Sequence, residues 1–236
     1  MQRSDHHDWT SETYVEEWVS RQQVEDPTRA ERFQLMCDLF PFPTDAQVTI
    51  LDVGAGYGPV SKFILDRYPN ATCIAQDGSE PMLHRARTLM AGYGRRFTTH
   101  QSDLFDTHWL PKPFGPFDAA VSSSCLHNLR DFTRISGIYR EIREHLKPGG
   151  VFLNLDLLNA PTPELQKWYV AATAARRQRE DNMAMVRRPD RSPADRPGGA
   201  FPANLDQHLA ALKAAGFREV DCFWKDLRRA IYGGYA

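Results

Sequence analysis

The chain has 236 residues, 42% of them hydrophobic and 25% charged, with a formal net charge of -1, which is enough apolar chain for one large globular domain and not for a second full one. The balanced charge gives no overall attraction to nucleic acid or to an anionic membrane, and no apolar run approaches the roughly 18 to 20 residues that cross a bilayer. Four widely spread cysteines, Cys37, Cys73, Cys125 and Cys222, form no CxxC and no cysteine-histidine pair at ligand spacing, so neither a disulfide framework nor a metal site is signalled and the thiols read as reduced and buried.

The amino-terminal MQRSDHHDWTSETYVEEW is polar and acidic, unlike a signal sequence, so the expected location is the cytoplasm. Asp26-Pro27 pairs an N-cap acceptor with proline at the first helical position, and leads into a helix with Phe33, Met36, Leu39 and Phe40 on one side. Pro41 and Pro43 stop it. Val48 to Val53 is a short run of branched apolar residues, as in a parallel strand buried on both faces. Glycines at 54, 56 and 58 follow, then Pro59 opens a helix carrying Val60, Phe63, Ile64 and Tyr68 that ends at Pro69.

The alternation continues with a strand at Cys73 to Ala75 before Asp77, and a helix from Pro81 to about Met90 with Met82, Ala86 and Leu89 spaced to face inward. Phe97 to Ser102 is a weaker strand and Phe117 to Ser122 another. Asp131 caps a helix bearing Ile135, Ile138, Tyr139, Ile142 and Leu146, which ends at the turn Lys147-Pro148-Gly149-Gly150 before a fifth strand from Val151 to Asp156. Arg187 to Gly199 is too rich in proline, glycine and charge for a packed element and reads as a surface loop. A helix from about Leu205 to Ala215 precedes Phe217 to Trp224 and Arg228 to Tyr235, which lack a helix between them and read as an antiparallel hairpin closing a sheet edge. Strands alternating with helices imply a mostly parallel sheet with helices on both faces.

A strand, a bare glycine loop and a helix N-terminus at the carboxyl edge of such a sheet let a ligand approach main-chain atoms without meeting a side chain. The spacing is not G-x-G-x-x-G, because Gly58 comes one residue early and Pro59 takes the expected place, and no lysine completes a P-loop. Asp52, at the strand tip, repels a pyrophosphate and suits an ammonium-bearing ligand. Asp77, about 20 residues past the glycines, stands where an acid accepts both ribose hydroxyls, and Asp103 after the third strand is placed to accept the amine of adenine. A ligand with adenine, ribose and an amino-acid tail but no phosphate fits all three.

Asp52-Val53-Gly54-Ala55-Gly56-Tyr57-Gly58, the strand-terminal Asp77, Ser102-Asp103-Leu104, Phe117 to Val121 and Leu146 to Gly150 together resemble the class I S-adenosylmethionine-dependent methyltransferases of the small-molecule type. The resemblance covers about Val48 to Asp156 and the terminal hairpin. It implies an α/β fold, a Rossmann-like, doubly wound seven-stranded sheet, mostly parallel with an antiparallel last strand, and S-adenosyl-L-methionine as cofactor, leaving as S-adenosyl-L-homocysteine. Asp52, Gly54 and Gly56 would then lie near the methionine moiety, Asp77 on the ribose, and Asp103 with Leu104 around adenine; Ala55, Gly78, Met82, Ser122 and Ser123 complete the cofactor-binding candidates.

The same resemblance implies one domain over residues 1–236, with 1–45 as a helical lid and 157–215 as a helical and loop insertion near the substrate. The segment Ser122 to Leu129 follows the fourth strand, which faces the reacting centre in this family, and His127 in it is the candidate catalytic base; the competing reading is a histidine that only hydrogen-bonds the loop backbone. Asn128 stands where a second histidine is frequent in the family. Cys125 lacks the preceding proline of a cytosine-methylating nucleophile and reads as a packed thiol, and no Pro-Pro marks an amino-methylating DNA enzyme. Tyr14 and Trp18 in the lid, with Trp224 and Arg228 near the last hairpin, are substrate-contact candidates, each with packing as its alternative.

The expected reaction is in-line methyl transfer to a small organic acceptor, at oxygen or nitrogen rather than carbon. Two other classes stay open: a tRNA-modifying enzyme transferring methyl or carboxymethyl, drawing on the arginines from Arg176 to Arg196, and a non-catalytic cofactor-binding partner or sensor. Interleaved Glu180, Asp181, Asp190 and Asp195 favour a solvated surface over an RNA site, so nucleic acid is disfavoured. Membrane partners are not expected, and the oligomeric state is left open, a homodimer included.

Overall fold

Residues 8–25, 28–112, 115–184 and 203–236 are described by a computed structural model. Five strands run parallel, β1 (Thr49–Val53), β2 (Thr72–Asp77), β3 (Phe97–Gln101), β4 (Phe117–Ser123) and β5 (Leu146–Leu157). With β6 (Arg218–Asp226) and β7 (Arg229–Tyr235) they form one seven-stranded sheet in the order β3-β2-β1-β4-β5-β7-β6. The last strand, β7, runs antiparallel to both β5 and β6, so the doubly wound α/β sheet with its antiparallel closing strand is present as the sequence implied. Strand order reverses at β1, between β2 and β4, which opens the crevice at the carboxyl edge where ligands bind in such sheets.

Both faces are covered, which is why β1 and β4 read as almost continuous apolar runs. On one face α2 (Arg29–Asp38) and α3 (Pro59–Arg67) contribute Phe33, Met36, Val60 and Ile64, against Ile50, Val121 and Leu153. On the other, α5 (Phe132–His145) and α7 (Leu205–Ala214) contribute Ile135, Ile138, Ile142 and Leu212, against Leu51, Ala120 and Phe152. Each fully buried side chain of this size contributes about 1.5 to 3 kcal/mol relative to exposure. Helices α1 (Glu12–Glu25), α4 (Glu80–Leu89) and α6 (Pro163–Ala184) are the other α-helices among the described residues. Among the described residues no helix is long and apolar enough to cross a membrane.

Capping chemistry sets several boundaries. Asp131 Oδ1 accepts from the amides of Thr133 and Arg134 at the start of α5, and Asn204 with Gln207 forms a reciprocal capping box on α7. Four local expectations are corrected or fall outside. Leu89 is exposed rather than inward, because the buried stripe of α4 runs through Met82, Leu83 and Ala86 to Met90 and leaves Leu89 at its edge. Lys147 to Gly150 is not a turn before the strand: β5 already begins at Leu146, and these residues make a bulge opposite Phe117 to Ala119, with Gly150 packed where a Cβ would lie 2.9 Å from the Asp118 carbonyl oxygen. The expected cap at Asp26-Pro27 and the Arg187–Gly199 segment lie outside the described residues, as do the side chains of 21–25 and 181–184.

Candidate active site

The register of the sheet brings Val53 level with Gln76 and with Ser122, and Ser123 level with Leu155, so the tips of β1, β2, β4 and β5 share one edge. At the end of β1, Gly54 turns at φ +63°, and a Cβ there would fall 1.9 Å from Cys125 Sγ. Only glycine lets the loops after β1 and β4 approach this closely. Gln76, buried at the end of β2, accepts from Gly54 N at 3.1 Å and donates to Ser102 O at 2.7 Å, tying the loops after β1 and β3 together.

Asp52 is fully buried. Its Oδ2 accepts from Ser61 N at 3.2 Å and from Ser61 Oγ at 2.7 Å, whereas Oδ1 has no hydrogen-bond partner among the described residues. Burial pushes this carboxyl up to about 6, and the neighbouring Asp77 adds to the rise, while Ser61 and Arg29 oppose it. Asp77 Oδ2 accepts from Gly56 N and Oδ1 from Ser79 N, each at 2.8 Å. Its carboxyl is also raised by burial, with the loop amides partly compensating. Both acids are therefore held in ordered geometry within the crevice, and a buried, unmatched acceptor oxygen on Asp52 fits an ammonium group.

Other cofactor candidates line the same edge or support it. Ser79 caps α4 by accepting from Met82 N, which buries Met82 below the glycine loop, with Sδ 3.8 Å from where a Cβ on Gly56 would be. Gly78 stands over the Ser102 carbonyl, and Ala55 N donates to Gln76 O at 2.9 Å. Asp103 Oδ1 accepts from Phe105 N at 3.0 Å, and Leu104 is buried while its carbonyl accepts from Arg134. Ser122 Oγ is turned inward to Val53 O at 2.9 Å, so of the two serines only Ser123 faces the cleft described below.

His127 lies in a 3-10 turn, Leu126–Leu129, directly after β4. Its Nδ1 is 2.5 Å from Asp156 Oδ1, and its backbone amide donates to Asp156 Oδ2 at 3.0 Å. Asp156 ends the buried run of β5 and is nearly inaccessible to water. Burial alone would raise its carboxyl; the charge and hydrogen bonds of His127, with the Leu157 amide, outweigh that and hold it below the usual carboxylate range. Two residues back on β5, Asn154 donates to Tyr232 Oη, which shares buried contacts with Tyr139 and His208 and anchors this strand tip. Burial raises the Cys125 thiol well above its ordinary range, and Asp77, Asp156 and Asp52 all add to the rise.

A cleft at the tips of β4 and β5 is lined by Ser123, Ser124, Leu155 and Asp156 from the sheet and by Arg29, Arg32 and Arg229. Helix α1 lies nearby: Trp9 stacks edge-on with Tyr14 at 5.3 Å and Trp18 at 5.4 Å, Trp18 meets Tyr57 of the glycine loop at 6.4 Å, and Ser79 Oγ donates to Trp9 O. Trp224 lies under the Arg32 guanidinium, 5.4 Å from ring centre to Cζ, and Arg228 Nε donates to Leu158 O at 3.3 Å. Sequence reasoning missed Gln76, Asp156, Arg29, Arg32 and Arg229. Asp156 carried the signal that marked Asp52 and Asp77, an acid ending a buried apolar strand; the arginines carried none beyond the i, i+3 spacing of Arg29 and Arg32.

Residues 50–150 match a family profile described as a methyltransferase domain. The chain is similar to a malonyl-[acyl-carrier protein] O-methyltransferase of Geobacter sulfurreducens, 30% identical over 177 residues that are 75% of this chain and 58% of the relative. It is also similar to a ubiquinone/menaquinone biosynthesis C-methyltransferase of Paracoccus denitrificans, 33% identical over 54% of this chain and 49% of the relative. The fold is shared with human N-acetylserotonin methyltransferase solved in complex with S-adenosylmethionine, at a TM-score of 0.62 and 18% identity over 96% of this chain and 57% of that one. The chain thus spans between about half and three fifths of the length of the proteins it resembles.

Proposed function

This chain belongs to the class I S-adenosylmethionine-dependent methyltransferases, and on that premise we propose that it methylates a small organic acceptor at oxygen or nitrogen, with His127 as the base that takes the acceptor proton. The observation that carries the reading is the His127–Asp156 pair beside the cleft. With Nδ1–H donated to the carboxylate, the lone pair of the neutral ring sits on Nε2, and the carboxylate stabilises the imidazolium formed when a proton arrives.

Bound S-adenosylmethionine supplies a methyl on a positively charged sulfur; the acceptor atom bonds to that carbon while the sulfur–carbon bond breaks with its electron pair kept on sulfur. The chain's own residues bind and orient. In this reading Asp52 Oδ1 takes the ammonium of the methionine moiety, Asp77 accepts the ribose hydroxyls with lone pairs left by Gly56 and Ser79, and Asp103, Leu104 and Met82 surround adenine. Residues 1–45 act as the lid, with Trp9, Tyr14 and Trp18 keeping water from the glycine loop. Tyr14, Trp18, Trp224 and Arg228 remain candidates for acceptor contact, Trp224 through its stacking on Arg32.

The test is transfer from methyl-labelled S-adenosylmethionine into a cell extract divided into small-molecule, RNA and protein fractions. Label in the small-molecule fraction, lost in His127→Ala, is expected. Label confined to RNA or protein would replace the reading, and bound cofactor with no label in any fraction would turn it toward a sensor.

A further inference from the structure

We propose that Gln76 is a positioning residue for the cofactor: it locks the glycine loop after β1 to the loop after β3, so that the methionine end and the adenine end of one ligand are gripped as a unit. The inference rests on the cofactor placement given above and names a residue that acts through Gly54 and Ser102.

Strand β2 reads Thr72-Cys73-Ile74-Ala75-Gln76-Asp77, and within it the amide of Gln76 is fully buried. An amide in such a position is tolerated only where its donors and its acceptor are used. Here they are: Oε1 accepts from Gly54 N at 3.1 Å, and Nε2 donates to Ser102 O at 2.7 Å and to Ser102 Oγ at 3.1 Å. Exchanging oxygen and nitrogen would set donor against donor at Gly54 and acceptor against donorless carbonyl at Ser102, so the orientation is fixed. An apolar side chain of the same size would fill the space, and the net stability such bonds add is small. What glutamine supplies instead is a set distance between two loops whose strands, β1 and β3, are not neighbours in the sheet.

The glycine loop is held from inside. Three successive amides donate to the end of β2: Gly54 N to Gln76 Oε1, Ala55 N to Gln76 O at 2.9 Å, and Gly56 N to Asp77 Oδ2 at 2.8 Å. With all three engaged, the loop takes its shape from Gln76 and Asp77 rather than from a bound phosphate. On the other side, Ser102 N donates to Asp77 O at 3.1 Å and Ser102 Oγ to Trp109 O at 2.6 Å, which fixes the start of the segment carrying Asp103 and Leu104 to the same strand tip. A ligand that spans both loops gains most when they are already in register, because its second end then binds at the effective concentration set by the first.

The test compares S-adenosylhomocysteine, which spans both loops, with adenosine, which lacks the amino-acid end, by titration calorimetry on the full chain and on Gln76→Met, a swap of similar volume that can donate no hydrogen bond. Gln76→Met is expected to weaken S-adenosylhomocysteine about 10- to 100-fold and adenosine less than about threefold. Equal losses for the two ligands, or no loss for either, would overturn the inference. Residue-resolved hydrogen exchange on the parent chain gives a second readout: adenosine, bound at the Asp77 and Asp103 end, should slow exchange of the Gly54 amide, and an unchanged rate there would also overturn the inference. If Gln76→Met melts too low to titrate, Ser102→Ala, which gives up only the weaker of the two Nε2 bonds to Gln76, takes its place, with the same bias against the longer ligand at about 3- to 10-fold. Asp77→Ala separates the inference from its premise. Undiminished S-adenosylhomocysteine affinity in Asp77→Ala would defeat the cofactor placement itself, whereas a loss there with none in Gln76→Met would defeat the role of Gln76 alone.

Discussion

Asp156 binds His127 twice, through Nδ1 of the ring at 2.5 Å and through the backbone amide at 3.0 Å, so one buried carboxylate fixes both the position of the 3-10 turn and the orientation of the ring. If His127 is the base, His127→Ala lowers turnover about 100-fold or more at saturating acceptor. Asp156→Asn keeps the size of the side chain but removes the charge that favours the imidazolium, so it lowers kcat more than it raises KM. Initial rates across acceptor concentration for both variants check this. A kcat within a few-fold of the parent in His127→Ala would return the residue to a purely structural role.

Asp77→Ala is expected to weaken S-adenosylhomocysteine binding by about 1 to 3 kcal/mol, because it removes a charged hydrogen-bond acceptor from the crevice. It also frees the amides of Gly56 and Ser79, which Asp77 holds at 2.8 Å each. Asp77→Asn, which keeps one acceptor oxygen, loses less. Titration calorimetry separates the two, and an unchanged affinity in Asp77→Ala would remove this residue from the cofactor site.

The parts of this architecture visible in the sequence are those set by local backbone chemistry. Glycines at 54 and 56, the acids closing β1 and β2, the Asp131 cap and the apolar strand runs each reflect a constraint satisfied within a few residues. What stayed hidden depends on topology. Asp156 reaches His127 only because β5 lies beside β4, and Arg229 joins Arg29 and Arg32 only because the antiparallel β7 begins at the same edge. Leu89 and the Lys147–Gly150 bulge were misjudged for the opposite reason: a helical spacing does not say where the centre of the stripe lies, and proline with two glycines breaks a helix or bulges a strand equally well.

Gly54→Ala tests the contact between the loops after β1 and β4. A methyl at φ +63° is strained by itself, at about 1 to 3 kcal/mol, and it would lie 1.9 Å from Cys125 Sγ and 2.5 Å from Cys125 Cβ. The variant should melt well below the parent and bind S-adenosylhomocysteine weakly. Adding Cys125→Gly removes the clash and leaves the backbone strain, so the double variant recovers part of the loss. Melting temperatures of the four proteins form the cycle, and strict additivity would mean that the two residues do not press on one another.

If Asp52 holds the cofactor's amine, cofactor binding is linked to pH. The folded value of Asp52, about 6, lies above the ordinary 3.8, chiefly through burial, so its contribution to stability is complete at low pH and is lost as pH rises through about 6, at a cost of about 3 kcal/mol above that point. Asp52→Asn keeps an oxygen for the Ser61 amide and hydroxyl and carries no charge to bury. The variant should therefore melt above the parent at pH 8, with the difference shrinking towards pH 4. Function runs the other way: a cationic amine beside Oδ1 favours the ionised carboxylate, so S-adenosylhomocysteine binding should strengthen as pH rises to about 6, release a proton near that pH, and release none at pH 8. Calorimetry in buffers of different ionisation enthalpy measures the release. In Asp52→Asn it should vanish together with most of the affinity; proton release that persists in the variant would assign the linkage to another group.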